Sequence, residues 1–154
     1  MPKVKAPEFS LPATDGTMHT LESFSGSWLI LYFYPKDSTG GCTREAVDFT
    51  AQLPLFTRMN AVVVGVSPDS CSSHQKFIEK HHLTVTLLSD SSRETLEHYG
   101  VWQKKMLYGK EYMGVVRTTL LIDPKGFIRK RWDKVSVEGH AEEVLEALKS
   151  EQSA

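Results

Sequence analysis

The chain has 154 residues, 40% of them hydrophobic and 24% charged, and its 18 basic and 19 acidic side chains give a net charge of −1. This length is typical of one globular domain, here residues 1–154, that buries about 70% of its unfolded surface. The near-zero charge excludes the basic field of a protein that binds nucleic acid or an anionic membrane, so we expect neither partner.

The two cysteines, Cys42 and Cys71, are too few for the disulfide framework of a small secreted domain. The N-terminal sequence lacks the apolar stretch of a signal peptide, and no segment reaches the roughly 18 apolar residues of a membrane span. We therefore expect a soluble, cytoplasmic protein in which both thiols are reduced.

Two apolar runs, 29–34 and 61–66, have the composition of strands buried on both faces of a parallel sheet. Between them, apolar side chains recur at helical spacing over 42–58, and Pro54, which has no N–H, predicts a kink or restart. This order predicts a β–α–β unit.

A second unit follows directly. Segment 67–70 supplies turn and N-cap residues for another helix. Segment 83–88 is the next predicted strand, and 92–99 is a short predicted helix that ends at Gly100.

The last third of the chain predicts a different arrangement of strands. Strands are predicted at 115–122 and 127–132, and the turn-forming sequence at 123–126 makes them an antiparallel pair. An amphipathic helix over 141–148 should cover one sheet face, and the tail 150–154 should fray. Together these elements predict an α/β fold of the thioredoxin-like sandwich type, with a mixed central β-sheet and helices on both faces.

Cys42 follows the predicted strand 29–34 and lies in the first turn of the next helix. Ligand crevices form at this end of a sheet, and the free N–H groups of a helix N-terminus stabilise an anion. A cysteine placed here and assisted by a cation ionises readily and becomes reactive. The alternative is a buried structural cysteine, and position alone does not decide between the two.

Pro35, Thr39 and Cys42 together form PxxxTxxC, the active-site motif of the peroxiredoxins. Residues 5–149 also resemble the bacterioferritin comigratory protein subgroup, or Q type. The resembling segments are YFYPKDSTGGCTREA, GVSPDSCSSHQKF, LLSD, YGKEYMGVVRTTLLIDPKG and VEGHAEEVLEALK. The resemblance implies a thiol peroxidase for hydrogen peroxide and organic hydroperoxides that uses no metal, flavin or haem.

The resemblance also implies roles for individual residues. Cys42 would attack one peroxide oxygen and become a sulfenic acid. Thr39 would place its hydroxyl between the thiolate and the peroxide, and Pro35 would shield the site from water. The main-chain N–H groups of Gly41 and Cys42 would donate hydrogen bonds to the bound oxygen.

Arg117 matches the arginine of the family, which would stabilise the thiolate and polarise the bound oxygen. The alternative is an arginine on the surface of a strand. Glu45 could hold Arg117 through a bidentate ion pair, although an exposed helix carboxylate is a comparable interpretation.

The second cysteine departs from the subgroup. The two positions where its members carry a resolving cysteine hold Val47 and Ile78 in this chain. Cys71 remains as a partner, but the helix at Cys42 would have to unwind, because the Cα atoms of a disulfide lie within about 7 Å. In the alternative, the enzyme is of the one-cysteine type and an external thiol attacks the sulfenic acid.

Gly40 stands where the subgroup usually has proline. We expect that the glycine, which is more flexible than proline, eases opening of the loop around Cys42.

The resemblance implies thioredoxin or a similar thiol as reductant, and it favours a monomer. We expect no metal site, because His74 and His81 lack an accompanying Cys-x-x-Cys. A competing class is a non-catalytic redox sensor or holdase, in which oxidation of Cys42 changes partner binding.

Overall fold

The computed structural model describes residues 4–153. The strands in this range are β1 (Val4–Lys5), β2 (Ser10–Pro12), β3 (Met18–Thr20), β4 (Trp28–Phe33), β5 (Ala61–Ser67), β6 (Thr86–Ser89), β7 (Trp102–Leu107), β8 (Lys110–Val115), β9 (Thr118–Ile122) and β10 (Phe127–Trp132). The helices are α1 (Gly40–Arg58), α2 (Cys71–His81), α3 (Glu94–His98) and α4 (His140–Ser153), and a 3₁₀ turn spans Leu21–Phe24.

A six-stranded sheet in the order β1-β10-β9-β4-β5-β6 forms the centre of the molecule. β4, β5 and β6 pair in parallel, whereas β9 pairs antiparallel with both β4 and β10. The predicted mixed sheet is therefore confirmed. Two short hairpins, β2–β3 and β7–β8, lie outside it.

The sheet separates two apolar cores because side chains alternate along each strand. Tyr32 of β4 packs on one face with Phe49 of α1, Phe77 of α2 and the apolar stripe of α4. Leu31 of β4 packs on the other face with α3 and the N-terminal segments. Helices thus cover both faces, as the sequence predicts.

Several boundaries differ from the prediction. The expected strand 115–122 is interrupted, since β8 ends at Val115 and β9 begins at Thr118. The hairpin β7–β8 was not predicted because both strands are largely exposed and carry no buried stripe. The strand predicted at 83–88 lies at Thr86–Ser89, and the helix predicted at 92–99 is shorter, at Glu94–His98.

The structure excludes the restart predicted at Pro54 and the fraying predicted from residue 150, whereas the kink at Pro54 stays a prediction. α1 runs through Pro54 without restarting. α4 extends to Ser153, so the segment expected to fray is helical up to that residue. Two contacts hold it: Gln152 donates to the carbonyl of Met59 at 2.6 Å, and Glu151 pairs with Arg129 at 3.0 Å. None of the helices in residues 4–153 combines the length and apolar character that a membrane span requires.

Candidate active site

Cys42 is the third residue of α1, and its side chain is almost fully buried. Thr39 is the N-cap of the helix, and the N–H of Thr43 closes the first turn on the carbonyl of Thr39 at 2.8 Å. The first N–H groups of a helix lack intrahelical acceptors, so this end of α1 is electropositive. The predicted placement of Cys42 in a helix N-terminal turn is confirmed.

Arg117 lies in the break between β8 and β9 and contacts the sulfur of Cys42. Its Nη2 donates to Cys42 Sγ at 3.2 Å, and its Nη1 donates to Glu45 Oε1 at 2.7 Å. Only 17% of the arginine side chain is exposed, so the surface-arginine alternative is wrong.

Glu45 is buried one helical turn after Cys42, which overturns the alternative of an exposed helix carboxylate. Its pair with Arg117 is a single hydrogen bond through Oε1, and its Oε2 has no hydrogen-bond partner. The expected bidentate geometry is therefore wrong, because the guanidinium is shared between the carboxylate and the sulfur. Burial raises the pKa of Glu45 to about 7, although the positive charge of Arg117 opposes that rise.

Arg117 keeps its positive charge in this environment. Burial by itself would lower the pKa of the guanidinium, but the negative charges of Glu45 and Cys42 outweigh it and raise that pKa. A fixed positive charge therefore lies beside the sulfur throughout the physiological pH range.

Gly41 permits the close approach of the arginine. A Cβ atom at this position would lie 3.2 Å from Arg117 Nη2, which is closer than ordinary van der Waals contact. A Cβ atom at the preceding Gly40 would meet nothing within 4 Å. A side chain at position 41 would therefore contact the guanidinium of Arg117, whereas one at position 40 would not.

Thr39 and Pro35 lie on the loop that leads into α1. The Thr39 side chain is exposed, and its hydroxyl donates to the carbonyl of Lys36 at 3.0 Å. Pro35 is half-buried and follows the fully buried Tyr34. The Thr39 hydroxyl would have to leave Lys36 in order to donate to a peroxide.

Cys71 is the first residue of α2 and is half-buried. Because β4 and β5 pair in parallel, α1 and α2 start at the same end of the sheet, as predicted. The Cys71 thiol donates to the carbonyl of Pro12 at 3.7 Å. Both cysteines are free thiols in this structure.

A polar cluster of two buried residues and one half-buried residue, beside the site, was not predicted. Asp37, Asp69 and His74 bring three potential ligand atoms within 4.8 Å of one another. These residues already bond to each other: His74 Nδ1 lies 2.7 Å from Asp37 Oδ2, and the Asp37 N–H donates to Asp69 Oδ2 at 2.8 Å. Internal hydrogen bonding therefore accounts for the cluster.

Comparison with known proteins finds relatives over almost the whole chain. The sequence pattern of the AhpC/TSA family matches residues 2–131. Peroxiredoxin Bcp of Bacillus subtilis is 46% identical over 145 residues, which cover 94% of this chain and 92% of that protein. Peroxiredoxin Bcp of Xanthomonas campestris is 43% identical over 150 residues, which cover 96% and 94%.

Solved structures resemble the whole fold. A Xanthomonas campestris peroxiredoxin Q has a TM-score of 0.88 at 44% identity and covers 92% of this chain and 90% of its own. Trapped-intermediate and ligand-complex structures address the alkyl peroxide reduction activity of the Xanthomonas campestris bacterioferritin comigratory protein. That protein has a TM-score of 0.89 at 43% identity, covering 93% and 91%. With its family pattern matched over most of its length, this chain belongs to the AhpC/TSA family, and its relatives are peroxiredoxins of the Bcp or Q type.

Proposed function

We propose that Cys42 is the peroxidatic nucleophile through which this peroxiredoxin acts as a thiol peroxidase. The thiolate attacks one oxygen of the peroxide, the O–O bond breaks, and the other oxygen takes a proton and leaves as water or an alcohol. The sulfur is oxidised to a sulfenic acid and the peroxide is reduced. The observation that carries this proposal is the bond from Arg117 Nη2 to the buried Cys42 Sγ at 3.2 Å.

Arg117 has two tasks in this proposal. In the resting enzyme its charge stabilises the thiolate, and in the transition state it stabilises the negative charge that develops on the leaving oxygen. Glu45 fixes the guanidinium from the other side at 2.7 Å. The N–H groups of Gly41 and Cys42 at the start of α1 supply further donors.

Thr39 and Pro35 complete the proposed site. The Thr39 hydroxyl exchanges its bond to Lys36 for one to the peroxide, and Pro35, which has no N–H, limits access of water. Hydrogen peroxide and organic hydroperoxides are the proposed substrates. The alkyl peroxide reduction studied in the Xanthomonas campestris relative supports the second class.

The sulfenic acid is then reduced by a second thiol, with release of water and formation of a disulfide. Cys71 is one proposed partner, because α1 and α2 start at the same end of the sheet, and an external thiol is the other. Either route draws electrons from thioredoxin or a similar thiol donor. We propose that the chain works as one domain and a monomer in the cytoplasm, where its free thiols stay reduced.

Cys42→Ser tests the proposed nucleophile. We expect it to abolish peroxide consumption coupled to a thioredoxin system, whereas Cys71→Ser keeps the first oxidation step. Sustained turnover by Cys42→Ser would refute the assignment. A single stoichiometric oxidation of the wild type, without turnover, would favour the redox sensor instead.

The mass of the protein after one equivalent of peroxide separates the two resolution routes. Loss of two hydrogen atoms indicates a disulfide between Cys42 and Cys71, and this loss must be absent in Cys71→Ser. Gain of one oxygen atom indicates a sulfenic acid that awaits an external thiol.

A further inference from the structure

The cluster around Asp37 has no part in the chemistry proposed for Cys42, yet it lies on the loop that delivers that cysteine. The carboxylate accepts from the hydroxyl of Tyr34 at 2.6 Å and from that of Ser73 at 2.8 Å. His74 Nδ1 lies 2.7 Å from Asp37 Oδ2, and the His74 side chain is fully buried. Two residues of α2 thus hold the loop that precedes α1.

Both ring nitrogens of His74 have hydrogen-bond partners. Its Nε2 lies 3.0 Å from the carbonyl of Leu88, which can only accept, so Nε2 carries a proton. A second proton lies between Nδ1 and Asp37. Burial raises the pKa of Asp37, but the hydrogen bonds from His74, Tyr34 and Ser73 outweigh it and lower that pKa, so Asp37 favours its charged carboxylate form. The contact is therefore a buried, charge-assisted hydrogen bond.

The main chain of the same loop is also anchored. The N–H of Asp37 donates to Asp69 Oδ2 at 2.8 Å, and that oxygen also accepts from Ser67 at 2.7 Å. The next residue, Ser38, has a φ of 62°, a left-handed conformation that is strained for a residue with a side chain. Such strain persists where the surroundings fix the backbone, and the anchors of Asp37 do so.

We propose that Asp37 is a positioning residue for Cys42, and that its bonds to Ser73 and His74 of α2 hold the strained loop from which α1 starts. Thr39, the N-cap of α1, follows Ser38 directly. While these hydrogen bonds are intact, the first turn of α1 stays formed, and Cys42 lies against Arg117 and reacts with peroxide. When these hydrogen bonds break, the Ser38 backbone leaves its left-handed conformation and the first turn of α1 opens. The sulfenic acid of Cys42 then becomes accessible to a second thiol.

This inference rests on the proposed peroxidase function, but its first test needs no peroxide. Asp37→Asn should increase amide hydrogen exchange at Thr43, whose N–H closes the first turn of α1, by about tenfold. Ser73→Ala removes one neutral donor and should give a smaller increase. The matched control is Asp90→Asn, because Asp90 is also buried but accepts from the N–H of Leu96 in α3. It should leave exchange at Thr43 unchanged.

The second test uses the rate of Cys42 oxidation and a second-site rescue. Asp37→Asn should slow oxidation by hydrogen peroxide about tenfold and make the sulfenic acid easier to capture with a small thiol. Adding Ser38→Gly should restore much of the oxidation rate, since glycine adopts the left-handed conformation without strain.

Unchanged Thr43 exchange in both Asp37→Asn and Ser73→Ala would overturn the positioning role, as would an equal effect of Asp90→Asn. If Asp37→Asn does not fold, Ser73→Ala alone decides the outcome. A wild type that consumes no peroxide would refute the proposed function while leaving the exchange result interpretable.

Discussion

The two cysteines occupy equivalent places in the fold but different surroundings. Each lies in the first turn of a helix that follows a central parallel strand, and each therefore shares the electropositive helix terminus. Cys42 is buried against the guanidinium of Arg117 at 3.2 Å, whereas Cys71 is half-buried against the carbonyl of Pro12. The two positions therefore share a helix N-terminus and differ in burial and in the contact with a cation, which Cys42 has and Cys71 lacks among the described residues.

Replacing the cation should produce the largest change. Arg117→Met keeps an apolar stem but removes the charge beside Cys42. We expect the second-order rate of Cys42 oxidation by hydrogen peroxide to fall about 10²–10³-fold, which is typical of losing one group that stabilises transition-state charge. Stopped-flow measurement in a Cys71→Ser background isolates this step.

The reactivity of Cys71 toward an alkylating reagent provides the control for Arg117→Met. It should not change, because Cys71 bonds to Pro12 rather than to Arg117. A parallel loss of reactivity at both cysteines would mean that the variant perturbs the fold rather than the site.

The adjacent glycines sharpen the comparison at the atomic level. Gly41→Ala puts a Cβ atom 3.2 Å from Arg117 Nη2 and should displace the guanidinium, lowering the oxidation rate about tenfold. Gly40→Ala is the matched control, because its Cβ atom meets nothing within 4 Å. Equal rates for the two variants would show that the position of Arg117 does not limit the reaction.

Glu45 should give a pH-dependent effect on stability. Its pKa is raised by burial to about 7 from 4.5, so its contribution to the free energy of unfolding is fully present below about pH 4.5 and is lost as the pH rises to about 7. The stability of the wild type relative to Glu45→Gln should therefore fall over that range, by roughly 3 kcal/mol at most.

Urea unfolding of both proteins across that range measures the difference. His140, whose pKa is lowered by burial, titrates in both proteins and cancels from it. A difference that stays constant with pH would contradict the buried, titrating carboxyl.

The smallest expected effect lies on the Cys71 side. Ser70 caps α2 by accepting from the N–H of Ser73 at 3.1 Å, so Ser70→Ala should lower the free energy of unfolding by about 1 kcal/mol. The rate of Cys42 oxidation should stay within experimental error. A large drop in that rate would show that the Ser70 cap also supports the contacts of Ser73 and His74 with Asp37.

The fold was predictable where apolar pattern and burial coincide. β4 and β5 are apolar almost throughout, and the sequence predicts both to within a residue. The β7–β8 hairpin escaped prediction because its strands are exposed and carry no buried stripe. Because the hairpin was not predicted, the break between β8 and β9 that contains Arg117 was not predicted either.

The site was predictable only in part. The resemblance identified Cys42 and Arg117, but the burial of Glu45 contradicts the general tendency of helix carboxylates to be solvated. The bond between Asp37 and His74 joins residues 37 positions apart, and no local pattern signals such a contact. Tertiary packing creates these two features, so they require the structure.

The most direct test of the account is the fraction of Cys42 present as thiolate at neutral pH, measured by ultraviolet absorbance in a Cys71→Ser background. The same measurement on Cys42→Ser/Cys71→Ser supplies the baseline. Because Arg117 Nη2 lies 3.2 Å from Cys42 Sγ, we expect a thiolate absorbance from Cys42 that falls when Arg117→Met is added. No thiolate absorbance with Arg117 in place, or an absorbance that Arg117→Met leaves unchanged, would contradict the proposed role of Arg117.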